Sequence, residues 1–85
     1  MILNKGVEVE APVTLSKVNA AGRYRIEDVS GNERDRHRLH EMGFVAGAPL
    51  EVVSCYSADM LVVKLGGCRM ALSRGTTENV RVRSR

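Results

Sequence analysis

The sequence predicts a small, mainly β protein. It is a closed or nearly closed barrel of about five short strands, with one short helix (residues 33–42) between the first and second. Three observations carry this. From Pro49 onward, apolar residues recur with period two in short runs divided by turn residues. The stretch from Asn32 to Gly47 holds a helix start, a helix stop and a tight turn in close order. With 85 residues and three aromatic side chains (Tyr24, Phe44 and Tyr56), the chain makes one domain with a thin aliphatic core.

Residues 1–13 read as an N-terminal appendage in which "GVEVE" alternates like an extra strand until Pro12 interrupts it. The barrel domain spans 14–85. It opens on "TLSKV" (14–18), which fits one helical turn capped by Thr14. After the turn "NAAG", "GRYRIEDV" (22–29) sets Tyr24 and Ile26 on one face and charges on the other, as a half-buried strand does. "SGN" ends it.

Asn32 is a good N-cap for the helix, and Asp35 completes a start resembling a capping box, with its acid in the first turn. The helix is mostly charged. Only Leu39 and Met42, at i and i+3, give it an apolar edge, enough to dock on a barrel but not to form a bundle core. Gly43 fits the left-handed position after the helix, and Phe44 can fold back onto Leu39 as in a Schellman motif. Val45-Ala46-Gly47-Ala48 then reads as a type II turn with Gly47 at its third position. Leu39, Met42, Gly43, Phe44 and Gly47 are thus a structural corner that ends the helix and starts the next strand.

Four further strands follow: "PLEVVSC" (49–55), "MLVVKL" (60–65), "CRMALS" (68–73) and "NVRVR" (79–83). Gly66-Gly67 is a two-residue hairpin turn, "SADM" a looser one, and "RGTTE" a single helical turn. In this register Leu65 faces Cys68, Leu61 faces Leu72, and Cys55 lies level with Leu61. The two cysteines are then separated by about four residues along the strands, roughly 13 Å, beyond the roughly 7 Å limit for a bridge. No disulfide is expected.

Charge and hydropathy restrict the function classes. The net charge is +3. Residues 1–47 hold seven basic and seven acidic side chains, whereas 48–85 hold six basic and three acidic and end in "RVRSR". No apolar run exceeds four residues, against the roughly 20 needed to span a bilayer. The first ten residues lack the pattern of a signal peptide. A cytoplasmic protein with no direct membrane insertion is the expectation.

His37 and His40, at i, i+3 on the helix, are the candidate metal ligands, with Glu33 and Glu41 each four residues from His37. Weak Fe(II) or Zn(II) binding is the contact such a pair could make; no cofactor is required. The competing reading is a solvated charged face, in which these carboxylates pair with neighbouring arginines. No catalytic residue emerges, because no serine or cysteine is placed near the histidines and no phosphate-cradling loop is present. The chain is read as a non-enzyme. Arg69, Arg74, Arg81, Arg83 and Arg85 would favour a nucleic-acid-binding barrel, but the predicted strands from Leu50 onward carry no aromatic platform, so no nucleic acid is expected.

The run "RLHEMGFVAGAPLEVV" resembles the signature of the FeoA family, an arginine-leucine helix ending in a glycine-aromatic corner before a strand. "LVVKLGGCRMALSR" resembles that family's glycine-joined third and fourth strands, and "TLSKVNAAGRYRIEDV" its usual opening. The resemblance covers about residues 14–83. It implies an SH3-like barrel and a part in ferrous iron uptake, as an accessory protein that docks on and modulates a FeoB-like transporter on its cytoplasmic, GTPase-bearing side. The alternative it leaves is a metal-sensing domain like those of iron-dependent repressors. Gly75 and Thr77 stand where Glu and Ala are usual, which predicts a looser last connection. Tyr56 and Met60, in the loop "CYSADM", and Arg69 are the candidate partner contacts. The oligomeric state stays open, a homo-oligomer included, since "GVEVE" could add to its own barrel edge or to a neighbour's.

Overall fold

Apolar residues at alternate positions of five strands turn to one side of a single sheet, and that side is the core. The computed structural model describes residues 11–84, with the backbone but not the side chain of Tyr56. The segment "GVEVE" and Arg85 lie outside the described residues. The elements are β1 (Val13–Thr14), a 3-10 turn (Leu15–Lys17), β2 (Gly22–Val29), α1 (Glu33–Glu41), β3 (Pro49–Ser57), β4 (Met60–Leu65), β5 (Cys68–Ser73), α2 (Arg74–Thr77) and β6 (Val80–Ser84).

The six strands form one antiparallel sheet in the order β1-β6-β2-β3-β4-β5. It curls around its core like a barrel, but among the described residues β1 and β5 do not pair with each other, which leaves a seam between them. Ile26 of β2, Leu50 and Val52 of β3, Leu61, Val63 and Leu65 of β4, Leu72 of β5, and Val80 and Val82 of β6 are all buried. Leu15 and Val18, from the 3-10 segment, close one side of this core, and Leu39 with Phe44 closes another.

The expected register of the second half is present: Leu65 faces Cys68 and Leu61 faces Leu72. Cys55 and Cys68 are free thiols.

Several details differ from expectation. Thr14 makes no side-chain cap; it belongs instead to β1, opposite Arg81. The "SADM" turn is tight, since Ser57 pairs with Met60 and only Ala58 and Asp59 lie between them. Ser57 Oγ accepts from the Asp59 N–H (3.2 Å), which holds that turn without a glycine. The last connection is not loose. Ser73 caps α2 by accepting from the Thr76 N–H, and fully buried Thr77 donates its hydroxyl to the Arg74 carbonyl (2.9 Å).

Candidate interaction surface

The corner residues are brought together as the sequence predicts. Asn32 Oδ1 accepts from the Asp35 N–H (2.8 Å) and starts α1. At its other end the Phe44 N–H donates to the Leu39 carbonyl and the Gly43 N–H to the His40 carbonyl, both at 3.0 Å. These are the two hydrogen bonds of a Schellman motif, with Gly43 at φ 103°. The Ala48 N–H closes the following turn on the Val45 carbonyl, with Gly47 at φ 90°. That turn is latched to β2: the Gly47 N–H donates to the Ile26 carbonyl, the Ile26 N–H to the Ala48 carbonyl, and Arg25 to the Gly47 carbonyl. The corner is therefore the joint between helix and sheet.

The outer face of α1 is open. His37 Nε2 lies 3.0 Å from Glu41 Oε2, one helical turn on, and both side chains are about 70% exposed. His40 is exposed too, and no group of three or more His, Cys, Asp or Glu that could hold a metal occurs among the described residues.

The three candidate partner contacts do not form one patch. Tyr56 falls inside β3 rather than in a loop, and its side chain lies outside the described residues. Met60 opens β4, opposite Ser57 and Ser73. Arg69 lies at the other end of the sheet, opposite Lys64. Four residues of β4 separate the two levels, roughly 13 Å.

Three of the arginines that suggested nucleic acid are engaged inside the fold. Arg74 reaches back across the chain and donates through one guanidinium nitrogen to the carbonyls of Ser16 (2.6 Å) and Val18 (3.0 Å). Arg81 grips both oxygens of Asp28, at 3.1 and 2.6 Å, and Arg83 donates to Glu27 (3.0 Å). A β-bulge makes the last two pairs compatible. Between Ile26 and Asp28 the β2–β6 register slips by one, leaving Glu27 as the extra residue. Adjacent residues of a regular strand point to opposite faces; the bulge lets both carboxylates meet arginines that alternate along β6. The hydrogen bonds from Arg81 hold the Asp28 carboxyl below its ordinary pKa, and the same pairing raises that of Arg81. The sequence signal for this was the acidic pair at 27–28 facing "RVR", legible only once β2 and β6 are known to be neighbours.

An apolar groove of about 360 Å³ lies at the end of the sheet that carries the corner, where Met42, Pro49, Leu65, Cys68 and Met70 line it. A second, more polar hollow of about 310 Å³ lies between α1 and α2, lined by Asp35, Arg38, Ser73 and Thr76 among others. In that hollow the Ser73 and Thr76 hydroxyls bond to each other (2.9 Å), and Ser73 Oγ also accepts from the Thr76 N–H. No helix among the described residues is long and apolar enough to cross a membrane.

These features define a small SH3-like barrel. Among solved structures, an iron uptake regulatory protein (FeoA) superposes with a TM-score of 0.77 at 26% identity, over 86% of this chain and 97% of that one. A FeoA protein from Chlorobium tepidum gives 0.72 at 27%, over 85% and 70%. The manganese-activated repressor ScaR shares the fold, with a TM-score of 0.76 at 17% identity, over 86% of this chain but 35% of its own. No curated protein matches the sequence. The FeoA domain model matches residues 13–84, and the chain belongs to the FeoA family.

Proposed function

We propose that this protein is a non-enzymatic accessory of ferrous iron uptake that docks on the cytoplasmic, GTPase-bearing part of a FeoB-like transporter and modulates it. Membership of the FeoA family implies involvement in ferrous iron transport. The observation that carries the reading further is that this family's domain, over residues 13–84, accounts for all of the described barrel. Nucleic acid is not the expected partner, because Arg74, Arg81 and Arg83 already bond to carbonyls or carboxylates of the same chain. A weak Fe(II) or Zn(II) contact at His37 and His40 is no requirement of this reading.

The test is retention of the full chain on an immobilised cytoplasmic domain of a FeoB-like transporter, with and without guanine nucleotide. Binding in the micromolar range is expected, weakened several-fold by Met60→Ala. No binding at micromolar concentration in either nucleotide condition overturns the proposal.

A further inference from the structure

We infer that the free edge of β5 is a strand-addition site for an extended acidic segment of a partner protein. The inference deepens the docking reading by naming its surface, and rests on that reading only for the partner's identity.

The backbone argument comes first. Gly66-Gly67 joins β4 to β5 with only two residues, so Leu65 and Cys68 form the hydrogen-bonded pair next to the turn. Along the continuous ladder the hydrogen-bonded pairs are then Leu65–Cys68, Val63–Met70 and Leu61–Leu72. The N–H and C=O groups of Arg69 and Ala71 therefore point away from β4. No other strand pairs with β5 among the described residues. The β4–β5 register runs without a bulge, and β5 contains no proline, so the edge lacks two usual devices against pairing.

The side chains say what kind of strand fits. Across the outer face runs a row of directly opposed residues, Arg23–Glu51–Lys64–Arg69, on β2, β3, β4 and β5 in turn. Signs alternate until the last step, where two cations face each other, and like charges directly opposite destabilise a sheet. Neither Lys64 nor Arg69 has an ion-pair partner among the described residues, and both are exposed. A carboxylate on a strand laid about 4.8 Å beyond β5 would restore the alternation. On the inner face, Cys68 and Met70 line the apolar groove with Met42 and Leu65, leaving room for an apolar residue one position along. The occupant is therefore an extended segment in which acidic and apolar residues alternate.

The probe is a blocked seven-residue peptide of alternating valine and glutamate, titrated into the full chain and followed by amide NMR. Binding is expected to protect the Arg69 and Ala71 amides from exchange. The lysine-for-glutamate peptide is expected to bind at least about tenfold more weakly. Ala71→Pro removes one outward N–H while leaving every β4 bond intact, and should weaken binding about tenfold. Arg69→Glu, which keeps the edge backbone, should reverse the peptide preference. Equal binding of both peptides, protection elsewhere, self-association of the chain in place of peptide binding, or full affinity in Ala71→Pro overturns the inference. A transporter domain that still captures Ala71→Pro at full strength would remove the edge and leave docking standing; one that captures neither form removes docking.

Discussion

Arg81 holds Asp28 through two hydrogen bonds between half-exposed side chains on the outer face of the sheet. The hydrogen bonds are made to the ionised carboxylate, so the pKa of Asp28 falls below its unfolded value. Depressed in the folded state, it adds stability above the unfolded pKa of about 3.9, and that contribution is lost as pH falls through the folded value. A carbon-detected NMR titration should find the Asp28 midpoint below that of a free aspartate, returning toward it in Arg81→Ala. An unchanged midpoint in that variant would show the guanidinium to be uninvolved. The effect on stability is small, because a solvated pair is screened. The pairing nevertheless changes how the basic tail is read. The arginines of "RVRSR" that would favour nucleic acid in the sequence include two that are answered by Glu27 and Asp28, more than fifty residues upstream.

At the scale of elements, the joint between α1 and β3 carries the most local information. Gly43 adopts φ 103°, and a Cβ there would lie 3.3 Å from Leu65 Cδ2, so a side chain meets both backbone strain and a packed neighbour. Gly43→Ala should cost about 1–3 kcal/mol. Gly75→Ala, in α2 with an ordinary φ and only Ser73 Oγ at 4.0 Å from the added Cβ, should be neutral or stabilise by about 0.5 kcal/mol. Chemical denaturation of the two variants checks this, and equal effects would mean that the left-handed corner stores no strain. This joint was legible from Asn32 to Ala48 because cap, stop and turn are each written in consecutive residues. The β3–β4 turn was not. Its tightness comes from a Ser57 side-chain hydrogen bond and from pairing on both flanks, and no glycine marks it.

For the molecule as a whole, closure depends on residues far apart in the chain. The sheet leaves its seam between β1 and β5, and Arg74 ties the end of β5 to the 3-10 turn by donating to the Ser16 and Val18 carbonyls. Those carbonyls belong to the segment whose Leu15 and Val18 seal the core. Arg74→Met keeps much of the packing stem but leaves both acceptors without their charged donor. It should cost about 1.5–3 kcal/mol, a fall of roughly 10 °C or more in Tm for a domain of this size. Thermal unfolding checks it, with Arg69→Met expected to shift Tm little; a wild-type Tm in Arg74→Met would mean that the tie is ornamental.

What the sequence by itself determined is local and periodic. Alternation chose the inward residues of β2 to β6, Gly66-Gly67 set the β4–β5 register, and the order of cap, helix and corner carried the family. The physical reason is that each of these signals lies within a few residues, at the repeat of a strand or a helical turn. The tertiary structure alone decided the rest: which arginines are engaged within the fold, and that β5 is an edge among the described residues. These depend on which strands become neighbours and where the bulge at Glu27 falls. Pairing between distant strands is fixed by the shape of the shared core, which no single stretch of the chain contains.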